Sequence, residues 1–183
     1  MAKPLSFSCV LKNYATKKHS AENIILSKHG PQFLSSICSN QKQITNNQAQ
    51  PATLKFYVKK AGDDLPLFYL IDVLDNNQKP IATLCYNFLC QNNCIVETKL
   101  RYISILDKNS QGKGYGSALL NALEHLSRQL NIPTISGDFV PHGDFAQFSE
   151  NFYKSHGYSL DYDPCDQKVY LSKNLESETI CQI

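Results

Sequence analysis

From Thr53 onward, hydrophobic and polar positions alternate along the chain. Leu54, Phe56 and Val58 interleave with Lys55, Tyr57 and Lys59, the two-residue period of a strand with one buried face. Gly62-Asp63-Asp64 supplies a turn, and Leu67–Leu74 reads as a second, more apolar strand. Asp75-Asn76-Asn77 turns again before a third strand over Ile81–Leu89, and Gln91-Asn92-Asn93 precedes a long fourth strand over Cys94–Leu106. Turns this short join neighbouring strands into an antiparallel meander. The period then becomes helical, with Leu119, Leu120, Leu123, Leu126 and Leu130 on one stripe that Asn131 and Pro133 end. Thr134–Val140 predicts a fifth strand of the meander region. Asp144 and Gln147 have the spacing of a capping box. They open a helix with Phe145, Phe148 and Phe152 on one face, stopped by Gly157. Tyr158–Leu160 and Lys168–Leu171 predict closing strands, and the polar tail after Lys173 predicts fraying.

The pattern before Thr53 is weaker. Leu5–Leu11 predicts a strand, Ser20 caps a short helix ending near Gly30, and Pro31 opens another through Phe33, Leu34 and Ile37. The Asn/Gln-rich stretch Ser39–Gln50 reads as a loop or linker. The expected organisation is an N-terminal strand and helical segment with its linker over 1–52, a core over 53–172, and a polar tail over 173–183. Either Leu5–Leu11 or Thr53–Lys59 is then the first strand.

Composition narrows the function classes. A chain of 183 residues holds one domain with a full core, and 42% hydrophobic residues is an ordinary globular share. A formal net charge of +2 and only paired lysines (Lys17-Lys18, Lys59-Lys60) argue against a nucleic-acid partner. The seven cysteines are odd in number and lack paired short spacing, so no disulfide framework is expected. Cys85, Cys90 and Cys94 do not have zinc-ligand spacing, and no metal is expected. No signal peptide or membrane-length apolar run is visible, which predicts a cytoplasmic protein without a membrane partner. Cys181-Gln182-Ile183 is one residue short of a prenylation box.

Three glycines alternate at Gly112, Gly114 and Gly116, between the fourth strand and the leucine-striped helix. Glycine lets backbone N–H groups approach a bulky anion. The first helical turn adds unpaired donors and the positive end of the helix dipole, which makes a phosphate cradle. A P-loop would need Gly-x4-Gly-Lys-Ser/Thr, which is absent, and a dinucleotide fingerprint fails because Ser117 occupies the third glycine position. The string Gln111-x-x-Gly114-x-Gly116 instead resembles the Gln/Arg-x-x-Gly-x-Gly/Ala loop of the GNAT superfamily of acyl-CoA-dependent N-acetyltransferases. Phe152-Tyr153-Lys154-Ser155-His156-Gly157-Tyr158 is similar to that family's Phe-Tyr-x3-Gly-Phe/Tyr helix ending. The order of elements over about 53–171 also matches. One departure is the family's Asn-x-x-Ala ahead of the Phe-Tyr pair, where this chain has Ala146 and Ser149.

The resemblance implies a single GNAT-like α/β (α+β) domain, with a mixed, mostly antiparallel twisted sheet of about six or seven strands and helices on both faces. It implies acetyl-CoA as co-substrate, with its pyrophosphate held by Gln111, Gly112, Lys113, Gly114, Tyr115, Gly116 and Ser117. It implies a backbone N–H at Ile105 or Leu106 for the thioester carbonyl. Transfer to an amine also needs an acid for the leaving thiolate and a base for the amine. Tyr153 is the candidate acid, because a phenol is protonated at neutral pH, and its position beside the Phe stripe predicts a place at the edge of the core. Glu97 is the candidate base, with Asp138, His142 and His156 as alternatives. No cysteine nucleophile lies in a motif, so direct transfer to a small-molecule or peptide amine is expected. A catalytically silent acyl-CoA-binding module is the rival reading. Monomer and homodimer both remain open.

Overall fold

The structure, a computed structural model, describes residues 41–175 except 49, 61–66 and 93. The strand expected at Leu5–Leu11, the helices expected after Ser20 and Pro31, the turn at Gly62-Asp63-Asp64 and the end of the tail lie outside the described residues. Eight strands form one sheet: β1 (Gln41–Thr45), β2 (Pro51–Lys60), β3 (Leu67–Leu74), β4 (Pro80–Gln91), β5 (Cys94–Ile105), β6 (Thr134–Phe139), β7 (Ser159–Asp163) and β8 (Lys168–Asn174). Their order is β1-β2-β3-β4-β5-β6-β8-β7, and only β5 and β6 run parallel. Two helices are described, α1 (Tyr115–Gln129) and α2 (Gly143–Ser155).

The meander β2-β3-β4-β5 follows the expected alternation, while three expectations are corrected. Part of the Asn/Gln-rich stretch 39–50 is strand β1, paired with β2 from Gln41↔Lys55 to Thr45↔Pro51. An edge strand that turns a single apolar side chain to the core needs no sustained alternation, so composition gives no sign of it. Only Ile44 of β1 packs against the core, and Gln43 Nε2 donates to Thr53 Oγ1 at 3.0 Å. Secondly, Thr134–Phe139 leaves the meander, because α1 carries the chain back across the sheet and β6 enters parallel to β5. Thirdly, the N-cap position of α2 is His142 and not Asp144, and Gln147 Nε2 donates to Asn151 Oδ1 at 3.0 Å.

The leucine stripe of α1 faces the sheet as its period requires. Leu119, Leu120, Leu123 and Leu126 are buried against Ile71, Val73, Leu84, Tyr86, Leu100 and Ile135. Each fully buried leucine contributes roughly 2 kcal/mol by removal from water. Two polar contacts fix the helix on this apolar bed. Thr98 and Ser127 share a buried hydrogen bond of 2.9 Å, which pins α1 to β5. Glu124, buried in α1, takes Lys173 of β8 on both oxygens at 2.8 Å, with Arg128 at 3.4 Å. The same Lys173 Nζ donates to the carbonyl of His156 just after α2, at 2.7 Å, and lies over the Tyr158 ring. One ammonium therefore joins α1, β8 and the end of α2.

A buried carboxylate left without its cation is strongly destabilising. Lys173→Met should lower unfolding free energy by about 3 kcal/mol in urea titration. Adding Glu124→Leu should recover most of the loss, because the uncompensated charge goes with it.

Candidate functional site

The site begins with a one-residue irregularity in β5. Cys85 pairs with Tyr102 and Tyr86 with Leu100, so Arg101 has no partner across the ladder. Such a bulge shifts the alternation by one residue. It puts Leu100, Ile103 and Ile105 on the face toward α1, although their spacing is odd. Beyond Leu100 the neighbour on the other side is lost as well. β6 pairs with β5 only over Thr98↔Ile135, Lys99↔Ser136 and Leu100↔Gly137, and then the two strands part.

The parting leaves backbone groups of β5 unsatisfied on the β6 side. The N–H of Leu106 points the other way and donates to the Ile81 carbonyl at 2.8 Å. N–H directions alternate along a strand, so those of Ile103 and Ile105 point into the gap. Of the two amides expected to meet a thioester carbonyl, Leu106 is therefore engaged within the sheet and Ile105 is available.

The loop after β5 is built by local capping. Asp107 accepts from Asn109 N at 3.1 Å and from Ser110 Oγ at 2.9 Å, capping a 3-10 turn at Lys108–Ser110. The Ser110 hydroxyl first, and the Asn109 amide second, hold its carboxyl below the usual carboxylate value. Gln111, exposed, donates its N–H back to Lys108. Gly112 at φ +73 and Gly114 at φ +83 then turn the chain through left-handed conformations that favour glycine, and Gly114 caps α1. The first helical bond runs from Ala118 N to Gly114 O, at 3.0 Å. Among the described residues, no backbone N–H from Gly112 to Ser117 finds a protein acceptor. These consecutive donors stand at a helix N-terminus, an arrangement that attracts a multiply charged anion. Lys113, partly exposed, adds a positive charge.

Sequence reasoning missed the second wall of this loop. The β1–β2 turn packs on it, with Asn47 N donating to Lys113 O at 3.1 Å. Asn46, buried, accepts from the backbone of Gln48 and Gln50 and donates its Nδ2 to the Tyr115 hydroxyl at 3.0 Å. Tyr115 thus offers the site its amide, while its side chain is buried in the core. No local signal marks Asn46 or Asn47, since both are ordinary members of a polar stretch and their partners lie about seventy positions away.

Between the parted strands and α2 opens a cleft of about 320 Å³, lined by Asn47, Ile103, Ile105, the glycine loop, Phe148, Ser149, Phe152 and Tyr153. Tyr153 is 8% exposed and belongs to the core, not to its edge as expected. Its ring stacks on Phe139 at 5.6 Å and meets Phe152 and Tyr158 edge-on. Burial pushes its phenol up to about 12. The expected Phe face is split, with Phe152 packed against the core and Phe148 left 66% exposed at the cleft.

The candidate bases are not brought to the cleft. Glu97 precedes the short β5–β6 junction, six residues or roughly 20 Å of strand before Ile103, and its carboxylate accepts the Ser136 hydroxyl. Asp138 pairs with Lys99 at 3.8 Å and Lys168 at 3.5 Å. The Nδ1 of His156 lies 2.8 Å from the Phe152 carbonyl, and His142 is exposed at the N-cap of α2. Among the described residues no carboxylate or imidazole lines the cleft.

Comparison with known proteins agrees with this architecture. The family model described as Acetyltransferase (GNAT) family matches residues 34–158. The GNAT domain of PAT from S. lividans superposes with a TM-score of 0.59 at 14% identity, covering 74% of this chain and 97% of that one. A GNAT-family protein from Desulfovibrio desulfuricans superposes with a TM-score of 0.51 at 16% identity, covering 60% and 70%. No curated protein matches in sequence.

Two outcomes follow from the site. A Cβ at Gly112 meets no atom within 4 Å, whereas one at Gly114 drives into the Asn47 carboxamide, 2.8 Å from its carbon. Gly112→Ala should therefore fold at a cost of about 1 kcal/mol, the strain of a left-handed alanine. Gly114→Ala should lose more and loosen the β1–β2 turn, as paired thermal melts would report. Tyr153 sets a pH dependence. Its neutral form is favoured in the folded state, so the stability it lends is complete below the ordinary phenol value of 10.0 and is lost as pH rises toward about 12. In ultraviolet titration its ionisation, read as the difference from Tyr153→Phe, should appear in that range and not at 10.0.

Proposed function

The chain belongs to the GNAT acetyltransferase family, and from that premise we propose that it transfers the acetyl group of acetyl-CoA directly to an amine of a small-molecule or peptide acceptor. One observation carries the reading: from Gly112 to Ser117 no backbone N–H finds an acceptor among the described residues, beside a cleft whose other wall is the freed edge of β5. The residues fit a pyrophosphate, because Gly112 leaves its approach open and the α1 dipole favours negative charge there. Gln111 and Lys113 would flank it. The pantetheine arm would follow the parted β5 edge, with the Ile105 N–H donating to the thioester oxygen as that oxygen gains charge.

In this reading Tyr153 donates a hydrogen bond to the departing sulfur. Its phenol, pushed up to about 12, is a weaker acid than a free thiol at about 8.5, so full proton transfer to the thiolate is uphill. Hydrogen-bond stabilisation of developing negative charge is the contribution it makes most readily. The acceptor amine must lose its proton elsewhere. With no carboxylate or imidazole among the described residues that line the cleft, water carries that proton, or the amine arrives neutral.

That no base lines the cleft among the described residues favours a second reading, an acyl-CoA-binding module without turnover. The two separate in one experiment. Calorimetry measures coenzyme A binding, and a thiol-reactive dye measures coenzyme A release from acetyl-CoA across a panel of amines. Thiol release with any amine supports transfer, and binding without release supports the module. Absence of binding by wild-type protein would refute both.

For an active enzyme, Tyr153→Phe should lower kcat by roughly 10²-fold, the scale of one lost donor to developing charge. Coenzyme A affinity should hardly change, because the bond matters in the transition state. The wild-type rate should climb with pH as the acceptor deprotonates and show no descending limb until pH nears about 12. A Tyr153→Phe enzyme with unchanged kcat would make this residue a packing group.

A further inference from the structure

The β1–β2 turn sets two asparagines against the glycine loop, and the structure uses them differently. Asn46 is buried, and its carboxamide is spent within the protein. Its Oδ1 accepts the amides of Gln48 and Gln50, and its Nδ2 donates to Gln50 Oε1 at 2.9 Å and to the Tyr115 hydroxyl at 3.0 Å. Its own N–H closes the turn on the Gln50 carbonyl at 3.0 Å. Asn47 is exposed, and its backbone N–H is bonded to the Lys113 carbonyl at 3.1 Å. Among the described residues its carboxamide makes no hydrogen bond.

That carboxamide lies over the loop. The position a Cβ would take at Gly114 is 2.8 Å from its Cγ and 2.9 Å from its Nδ2. Asn47 also lines the cleft, together with Gly112, Gly114, Gly116 and Ser117. It therefore adds a side-chain donor, reachable from the cleft, to the backbone amides of the loop. The last torsion of an asparagine is soft, so its NH2 group can turn toward whichever side carries an acceptor. The bonds to Lys113 and Tyr115 fix the turn on the loop, so few torsions are left to order when a ligand arrives.

We propose that Asn47 is a further coenzyme A-binding residue, whose carboxamide N–H donates to the pyrophosphate held at the glycine loop. The inference rests on the acetyl-CoA reading above and extends its site to a turn about seventy positions away in the chain. Each phosphate oxygen that leaves water needs a new donor, and a hydrogen bond to a charged oxygen is stronger than one between neutral groups. Asn47 is neutral and directional, so it complements the charge of Lys113 without repelling it. Asn46 is the positioning residue of the pair, because its buried bonds hold the turn where Asn47 meets the loop.

The test is calorimetry of the full chain with coenzyme A and with 3′-dephospho-coenzyme A, which keeps the pyrophosphate and lacks the ribose phosphate. Asn47→Ala should weaken both ligands by the same factor, about tenfold to a hundredfold, the loss of one hydrogen bond to a charged group. Asn47→Asp keeps the shape and the backbone N–H but replaces the donor with a negative charge, so it should weaken both at least as far. Gln48→Ala, an exposed side chain of the same turn, should bind like the wild type. Affinity restored in Asn47→Asp would reveal a packing role and overturn the assignment. So would a loss confined to coenzyme A, which would put the contact on the ribose phosphate. Wild-type affinity in both Asn47 variants overturns this inference and leaves the acetyl-CoA reading standing, whereas no binding by the wild type overturns the two together.

Discussion

The arrangement depends on one short junction, the parallel contact of β5 and β6. It holds for only three residue pairs and rests on the absence of a side chain at Gly137. A Cβ there would lie 2.9 Å from the Leu100 carbonyl oxygen and 3.3 Å from a Leu171 methyl. Glycine lets β6 come close enough to pair at Leu100, and the buried Thr98–Ser127 bond holds β5 to α1 at the same level. Past that point the bulge at Arg101 reorients β5 and no further pairs form. A sheet closed at one level and open above it presents donors of β5 that a continuous sheet would consume. The cleft is the consequence, with its floor made by Ile103 and Ile105 and its far wall by α2.

The glycine loop is likewise a junction, here between segments distant in sequence. The glycine loop supplies donors, but its shape is set from outside by Asn47 on the Lys113 carbonyl and by Asn46 on the Tyr115 hydroxyl. The Lys173 ammonium performs the same service at the other end of α1, tying the helix to β8 and to the carbonyl that follows α2. Both helices that border the cleft are thereby fixed by buried polar contacts as well as by apolar packing. A buried polar contact tolerates little displacement, because breaking it leaves a desolvated group. That requirement suits a site whose donors must be in place before the ligand arrives.

The interior holds several tyrosines whose ionisation is suppressed by burial. Tyr153 lies under the cleft. Tyr158 lies beside Glu124, with desolvation and then the carboxylate charge raising its phenol above the ordinary value. Tyr57 is raised by desolvation first and then by its bond to Asp72. All three are neutral at physiological pH, and of their hydroxyls that of Tyr57 donates to Asp72. Only Tyr153 lines the cleft.

Much of this molecule could be read from residue order. Alternation from Leu54 to Val58 and the helical leucine stripe gave the meander and α1, because both patterns record which side of an element meets the core. Gly112, Gly114 and Gly116 between a strand and a helix marked the left-handed loop that starts α1, because backbone conformation is a local property. Tyr153 was legible as a motif position. Its burial was not, since Phe139 and Tyr158, which enclose it, come from other strands and turns. Glu97 had a plausible residue type, yet only the three-pair junction with β6 decides that it lies at the closed end. Leu106 and Ile105 are equivalent apolar neighbours in sequence, and the ladder with Ile81 alone tells which amide is occupied. The strand at Gln41–Thr45 and the two asparagines that follow carry no apolar signature, because they are edge and turn positions stabilised by partners far along the chain. Residue order therefore determined which faces are buried and where the backbone turns through left-handed glycines into a helix. The pairing of strands decided which donors remain free, because a hydrogen-bonding group is defined by its partner and partners are brought together only by the fold.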